Sequence, residues 1–159
     1  MFLLDFMEKY KKPVSVLVVI YTPDLQVLLL ERADHPGYWQ SVTGSQHPDE
    51  TLSQTAAREI AEETGLNAAN FLLTDLHSLN KYEIFQEWRW RYAPGVTHNT
   101  EHAFSLLLPE PAPVTVSPRE HLRYAWFPQQ EAVEKVFSYS NAEMIRKLFP
   151  SARTHKKIV

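Results

Sequence analysis

One segment of this chain, residues 44–66, limits the possible folds more than any other. It reads GSQHPDETLSQTAAREIAEETGL and contains signals that begin and end a helix. Thr51, followed three residues later by Gln54, forms the pattern of a capping box at a helix N-terminus. Gly65 stands where a helix would end in a left-handed residue. The segment therefore predicts a helix from Leu52 to Thr64.

The predicted helix would carry an apolar stripe and an acidic face. The stripe repeats every four residues and consists of Leu52, Ala56 and Ile60. The acidic residues share a neighbouring face, at spacings of three and four, and are Glu59, Glu62 and Glu63. Such like-charge neighbours destabilise a helix by about 0.2–0.5 kcal/mol per pair. We therefore expect a cation among them, although an acidic helix taken alone is more often only a solvated face.

Magnesium is the cation that this chemistry favours. Mg²⁺ binds carboxylate oxygens and shares its other positions with waters and substrate phosphates, and Mn²⁺ is an alternative with similar ligands. The chain has a formal net charge of −3, so an anionic substrate would be repelled from the acidic face without a metal. We therefore expect a divalent metal to be obligatory.

The same segment resembles the Nudix box and matches it at every defining position. The match consists of Gly44, Glu50, Arg58-Glu59-Ile60, Glu62-Glu63 and Gly65-Leu66. A chance match of so many fixed residue types at fixed offsets has a probability on the order of 10⁻⁷. The resemblance implies an α/β fold, namely an α/β/α sandwich with a mixed sheet and the loop-helix-loop of the box. It also implies an enzyme that hydrolyses a diphosphate linked to another group.

The resemblance implies roles for the charged residues of the box. Glu59 and Glu63 would be the main metal ligands. Glu62 would complete the metal site or assist the attacking water. Arg58 would orient the glutamates through a salt bridge to Glu50.

Further segments resemble one bacterial subgroup of the family, over roughly Lys11 to Lys147. They include KKPVSVLVVIY, YWQSVTGS, EHLRYAWF and SNAE. Members of this subgroup act in folate synthesis, so the resemblance implies a small-molecule substrate, dihydroneopterin triphosphate, hydrolysed to dihydroneopterin monophosphate and pyrophosphate. Two alternatives remain open: a broader nucleoside or deoxynucleoside triphosphate pyrophosphohydrolase, and a non-hydrolytic nucleotide-binding module.

The subgroup resemblance implies site residues outside the box. Glu120, in EHLRYAWF, would be a third metal-binding carboxylate. The substrate-contacting positions would be Lys11, Arg32, Thr43, Tyr82, Glu83, Ile84, Phe85 and Ser138. Lys11 and Arg32 can meet phosphate oxygens. Tyr82 and Phe85 could stack on a flat pterin, and Glu83 could accept hydrogen bonds from its amino-pyrimidine edge.

Simpler roles remain open for several of these residues. Arg32 could form only a surface ion pair, and Ser138 could merely begin a helix. Ile84 and Phe85 could belong to the core. The run Asn99-Thr100-Glu101 could line the same cleft or hold a loop in place.

Composition is typical of one compact domain. With 159 residues, of which 44% are hydrophobic, we expect a domain over residues 11–149, an N-terminal extension (1–10) and a basic tail (150–159). The absence of cysteine excludes disulfides and agrees with a cytoplasmic location. No apolar run reaches the roughly 18 residues of a membrane helix, and the basic tail is short. We therefore expect neither a membrane nor a nucleic-acid partner, and the oligomeric state is open.

The remaining segments predict alternating strands and two closing helices. Val14–Tyr21 and Val27–Leu30 are apolar runs joined by a turn and predict a buried hairpin. Tyr82–Tyr92 alternates apolar with charged residues and predicts a two-faced strand. Other expected strands are Trp39–Thr43, Phe71–Leu79, Ala103–Leu108 and Leu122–Phe127. Helices are expected at Glu131–Phe137 and Asn141–Phe149, the second capped by Ser140 or Asn141.

Overall fold

The computed structural model describes residues 10–150. The expected N-terminal extension and basic tail therefore lie outside the described residues, apart from Tyr10 and Pro150. The strands are β1 (Val14–Tyr21), β2 (Gln26–Arg32), β3 (Trp39–Gln40), β4 (Val42–Ser45), β5 (Leu72–Glu83), β6 (His98–Leu107) and β7 (His121–Pro128). The α-helices are α1 (Leu52–Thr64), α2 (Gln129–Lys135) and α3 (Tyr139–Arg146), and short 3₁₀ helices span Ala68–Asn70 and Gln86–Arg91. None of the helices in this part of the chain has the length and apolar character needed to cross a membrane.

Strand β1 lies at the centre of one mixed sheet. Its sequence, VSVLVVIY, is apolar on both faces, as expected of a strand covered on both sides. It pairs in parallel with β6 along its whole length and antiparallel with β4. It meets β2 only at Tyr21 and Val27, so the predicted hairpin is paired only beside its turn. Strands β3, β2, β1, β6 and β5 follow one another in the sheet, with β7 joined to β2.

Helices cover both faces of the sheet. On one face, Val16 and Val18 of β1 pack in a core cluster with Ala56 and Ile60 of α1. On the other, Leu17 of β1 and its neighbours pack against α2 and α3. This arrangement confirms the expected α/β/α sandwich, and it follows from the absence of a polar face on β1.

Helix α1 has the predicted bounds and the predicted caps. The Thr51 hydroxyl accepts a hydrogen bond from the Gln54 backbone, and the Gln54 side chain accepts one from the Thr51 backbone. Gly65 ends the helix with a φ of 77°. The apolar stripe is buried, since Ala56 and Ile60 have no exposed surface.

The prediction of a two-faced strand over Tyr82–Tyr92 is wrong. Strand β5 ends at Glu83, opposite the first residue of β6, and the chain then turns into a 3₁₀ helix. The Phe85 and Trp88 rings stack with centroids 5.1 Å apart, a contact that residues three apart make in a helix but not in a strand. Tertiary contact with Phe137 fixes both rings, so packing decides the local structure.

The cap of α3 also differs from the prediction. Ser138, and not Ser140 or Asn141, accepts the capping hydrogen bond, from the Asn141 backbone at 3.1 Å. The Ser140 hydroxyl instead donates to Glu101, and the Asn141 side chain donates to Ser41. The helix starts two residues earlier than expected because these two side chains are engaged with the sheet.

Candidate active site

A cavity of about 610 Å³ lies beside α3 and reaches from the box to strands β5 and β6. Its volume is in the usual range for small-molecule sites. All eight predicted substrate-contacting residues line it, namely Lys11, Arg32, Thr43, Tyr82, Glu83, Ile84, Phe85 and Ser138. Glu63 and Glu120 also line it. Arg58, Glu59 and Glu62 are not among the lining residues, although Gly44, against which Glu59 packs, is one of them.

Arg58 ties the loop of the box to the acidic face of α1. Its Nε atom donates to Glu50 Oε2 at 2.6 Å, and Nη2 donates to the Ser45 carbonyl at 2.9 Å. Nη1 donates to Glu59 Oε2 at 2.9 Å. The hydrogen bond from Arg58 lowers the pKa of Glu50 to about 2, so this carboxylate is charged at neutral pH. The expected salt bridge to Glu50 is present, and Arg58 fixes the Glu59 carboxylate.

Glu62 lies at the edge of this cluster. Its side chain is half exposed, and its two oxygens are 3.3 Å from Arg58 Nη1. The i,i+4 contact leaves the Glu62 carboxylate free to turn towards solvent. Glu62 therefore differs from Glu59 and Glu63, whose carboxyl groups are buried.

Glu59 and Glu63 form a buried pair of carboxyl groups. Burial raises the pKa of Glu63 well above its ordinary value, and the charges of Glu59 and Glu120 raise it further. Burial also raises the pKa of Glu59, although Arg58 opposes that shift. Glu63 Oε1 has no hydrogen-bond partner among the described residues. Two carboxylates this close are stable together only if they share a proton or a cation.

These residues fit a divalent cation. The donor set is carboxylate oxygen, which hard ions prefer, and one buried oxygen of Glu63 is unsatisfied. The space that a side chain at Gly44 would occupy is filled by the Glu59 carboxylate, so the box is shaped around that group. Within residues 10–150 no three side chains already enclose an ion-sized point. Glu59 Oε2 accepts a hydrogen bond from Arg58, and Glu120 is exposed.

Basic side chains stand beside the carboxylates. The Lys11 side chain reaches solvent, yet the protein atoms around its ammonium group lower its pKa, and the charge of Arg91 lowers it further. The charges of Glu59 and Glu120 raise the pKa of Lys11, so both carboxylates lie within electrostatic reach of this ammonium group. A group in that position can meet phosphate oxygens.

Arg32 is held rigidly at the cavity wall. Its guanidinium group makes two hydrogen bonds to Asp34, at 2.7 and 2.8 Å, and one to Gln40 at 2.9 Å. It lies 4.5 Å from the centre of the Trp88 ring. These bonds lower the pKa of Asp34 to about 2. Arg32 therefore forms the ion pair foreseen as its simpler role, and it also keeps free N–H groups towards the cavity.

The aromatic wall of the cavity was only partly foreseen. Phe85 is exposed and stacks on Trp88, while Ile84 is buried in the core. Trp88 and Phe137 were missed, because the alternating pattern placed Trp88 on a strand and gave no reason to bring Phe137 near it. Their rings are 6.1 Å apart and nearly perpendicular.

Three of the predicted substrate residues have other partners in the structure. The Thr43 hydroxyl donates to the Val16 carbonyl at 3.0 Å, and Ser138 caps α3. Glu83 is exposed, and its Oε2 accepts a hydrogen bond from Arg89 Nη2 at 2.7 Å. Its carboxylate is therefore neither buried nor unpaired.

Two buried polar residues of β6, Asn99 and Glu101, line the cavity. Asn99 donates to Ser15 Oγ at 2.7 Å and to the Tyr82 hydroxyl at 3.1 Å. Glu101 Oε1 accepts a hydrogen bond from Ser140 Oγ at 2.8 Å, and burial raises the pKa of Glu101. Asn99 and Glu101 line the cavity whereas Thr100 does not, and all three lie on a strand rather than in a loop. Asn99 and Glu101 stand at alternate positions of a strand and therefore share one face, and this spacing was the signal in the sequence.

His121 was also missed. It is almost fully buried, and its Nε2 lies 3.9 Å from Glu63 Oε1. Burial lowers its pKa to about 4, so the ring is neutral at neutral pH. A histidine next to Glu120 in sequence gave no signal of its burial beside Glu63.

Known proteins resemble this chain over nearly its whole length. The NUDIX domain family matches residues 11–148. The dihydroneopterin triphosphate diphosphatase of Escherichia coli is 44% identical over 146 residues, covering 90% of this chain and 96% of the relative. That of Haemophilus influenzae is 43% identical over 144 residues, covering 89% and 90%. The solved structure of the E. coli dihydroneopterin triphosphate pyrophosphohydrolase superimposes with a TM-score of 0.82, covering 87% of this chain and 96% of that one.

Proposed function

The chain belongs to the Nudix family, and from that membership we propose that it hydrolyses dihydroneopterin triphosphate to dihydroneopterin monophosphate and pyrophosphate. The observation that carries the proposal is a single cavity with two different ends. One end joins buried carboxylates to basic side chains, which suits a metal-bound polyphosphate. The other has an aromatic wall and buried polar groups, which suit a flat heterocycle. Relatives that match almost the whole chain carry the name of this activity.

Nudix hydrolases generally need a divalent metal. Here we propose Mg²⁺, with Mn²⁺ as a substitute, held by Glu59, Glu63 and Glu120. Such a cation, when bound, neutralises charge on the phosphoryl oxygens and lowers the pKa of its bound water. Glu63 would supply the buried oxygen that lacks a hydrogen-bond partner among the described residues.

The chain's own residues would hold and orient the substrate. Arg58 keeps Glu59 at the box through its bridge to Glu50. Glu62, which is free to turn, would assist the attacking water or complete the metal site. Lys11 and Arg32 would bind phosphate oxygens, and Arg32 is already oriented by Asp34.

The ring of the substrate would lie along the aromatic wall. Phe85 and Tyr82 offer ring faces, and Trp88 and Phe137 extend the same wall. The cavity around the ring of the substrate and its hydroxylated side chain would be shaped by Thr43, Glu83, Ile84 and Ser138. A small molecule is the only partner that this proposal requires, and a cytoplasmic location without membrane or nucleic-acid partners stays a prediction.

The test is a substrate panel. Purified protein is incubated with dihydroneopterin triphosphate and with each deoxynucleoside triphosphate in the presence of Mg²⁺, and released pyrophosphate is measured. We expect kcat/KM to be highest for the pterin. A dATP value equal to or above the pterin value would favour the broader nucleotide pyrophosphohydrolase. No pyrophosphate from any substrate would favour the non-hydrolytic module.

A further inference from the structure

Glu101 and Asn99 on β6 present hydrogen-bond acceptors that lack donors at the cavity wall. Glu101 is 8% exposed and Asn99 is 1% exposed. Glu101 Oε1 accepts the Ser140 hydroxyl, while within residues 10–150 no donor reaches its Oε2. Asn99 Oδ1 likewise has no partner in this part of the chain. Asn99 Oδ1 is fully buried, so leaving it unpaired costs free energy, whereas Glu101 Oε2 remains accessible to a donor on a ligand in the cavity.

The chemistry of a buried carboxylate decides which heterocycle fits. A carboxylate accepts two neighbouring N–H donors at once, in the geometry it uses with a guanidinium group. A 2-amino-4-oxo-pyrimidine ring has such a pair, the exocyclic amino group and the adjacent ring N–H. Adenine and cytosine offer an amino group beside a ring nitrogen lone pair, which a carboxylate would repel. The ring of a pterin and the ring of guanine both qualify.

We propose that Glu101, supported by Asn99, binds the 2-amino-4-oxo-pyrimidine edge of the substrate and thereby determines which ring the enzyme accepts. This inference rests on the proposed function and deepens it. The role had been expected of Glu83, but that carboxylate is exposed and is paired with Arg89. Glu101 is buried and aimed into the cavity, and it is the carboxylate that a ring edge can satisfy.

The strand register places Glu101 at a useful distance from the box. Glu101 pairs with Ser15 of β1 from one side, and Ser45 of the box pairs with the same Ser15 from the other side. Since residues paired across a sheet point to the same side, Glu101 and Ser45 share one face. Two strand spacings put their Cα atoms about 10 Å apart. That separation suits a molecule whose ring edge lies at Glu101 and whose phosphates lie at the box.

The decisive comparison uses two nucleotides that differ by one amino group. dGTP carries the 2-amino group and dITP lacks it, while both share the same phosphates and sugar. Wild-type enzyme should prefer dGTP by about 10- to 100-fold in kcat/KM, the range expected for a hydrogen bond to a charged group. Glu101→Gln removes the charge and one acceptor, so the preference should fall to within about threefold. Its kcat/KM for dihydroneopterin triphosphate should fall by about 100-fold, mostly through KM, because the edge is bound equally in the ground and transition states.

A binding measurement tests the ring site, meaning Glu101 with Asn99, without requiring hydrolysis. Neopterin, which has no phosphate, is titrated against wild-type protein and Glu101→Gln, with binding followed by its fluorescence. We expect weaker binding by the variant. Glu134→Gln, an exposed carboxylate on α2, is the matched control and should behave as wild type. Ser140→Ala removes the hydroxyl that donates to Glu101 and that lies 3.2 Å from Ser138 Oγ. It should give a smaller loss in the same direction, which keeps the proposal testable if Glu101→Gln melts early.

The outcomes separate the two proposals. A wild-type dGTP preference that persists in Glu101→Gln, or that disappears in Glu83→Gln instead, overturns the ring site and leaves the proposed reaction intact. Neopterin binding that depends on Glu101, in a protein that releases no pyrophosphate from any triphosphate, overturns the reaction and leaves the ring site. Equal neopterin affinity in wild type and Glu101→Gln also contradicts the ring site.

Discussion

Replacing Gly44 by alanine would test how closely the box is shaped around Glu59. A Cβ atom at Gly44 would lie 2.0 Å from Cδ and Oε2 of Glu59, whereas ordinary contact begins at 3.4 Å. The carboxylate must therefore retreat by about 1.4 Å, the difference between those two distances. Gly44 is not among the glycines with positive φ, so the backbone accepts alanine without strain. The substitution should move one carboxylate and little else.

The expected effect is large on turnover and small on stability. A misplacement of about 1 Å in a catalytic group can cost about 100-fold, so kcat should fall by that order. The displaced side chain leaves its preferred rotamer at a cost of about 0.5–1.5 kcal/mol, which sets the size of the change in unfolding free energy. Turnover is measured over a range of Mg²⁺ concentrations, and stability is measured by scanning calorimetry.

Gly65→Ala is the contrasting control. Gly65 has a φ of 77°, and the nearest atom to its added Cβ, Cβ of Thr115, would be 3.6 Å away, so the variant suffers backbone strain without a clash. It should lose about 1–2 kcal/mol of unfolding free energy while keeping most of its turnover. Turnover of Gly44→Ala within threefold of wild type at every Mg²⁺ concentration would contradict the claim that catalysis depends on where the box places the Glu59 carboxylate.

Three further predictions concern the acidic cluster. Glu63→Gln should lower turnover by more than about 100-fold, because loss of supporting interactions alone costs 10- to 100-fold, and a near-normal rate at saturating Mg²⁺ would contradict the role of Glu63. Arg58→Lys loses the paired hydrogen bonds to Glu50 and the contact to Glu59, so the Mg²⁺ concentration for half-maximal rate should rise by about 10-fold or more, as measured by metal titration. Burial raises the pKa values of Glu59 and Glu63 above 4.5. The protonated carboxyl groups therefore stabilise the metal-free protein at low pH, and this stabilisation is lost as the pH rises through the raised pKa values. Bound metal must displace these protons, so the Mg²⁺-induced rise in Tm should grow with pH above 4.5, and a pH-independent rise would exclude the coupling.

Local signals predicted helix α1 well. Thr51, Gln54 and Gly65 specify its two ends through hydrogen bonds and backbone conformation that depend only on near neighbours. The bridge between Arg58 and Glu50 was also predictable, because both residues belong to one motif. The α/β/α architecture was implied by the resemblance of that motif to the Nudix box.

Signals that depend on distant partners were missed. Ser140 does not cap α3, because its hydroxyl donates to Glu101, which is 39 residues away in sequence. The alternation over Tyr82–Tyr92 predicted a strand, because the residue pattern alone does not indicate that Trp88 stacks on Phe85. The choice between two carboxylates for the ring edge depends on burial, which the residue type alone does not give.

The most direct test of the account is a crystal structure of the protein grown with Mn²⁺ and a slowly hydrolysed triphosphate analogue, with the metal located by its anomalous scattering. We expect an anomalous peak within coordination distance, about 2.1 Å, of oxygens from Glu59 and Glu63, with phosphate oxygens on the same ion. A metal found elsewhere, or phosphates bound while these two side chains keep only their protein contacts, would contradict the claim that the acidic face of α1 holds the substrate through a cation.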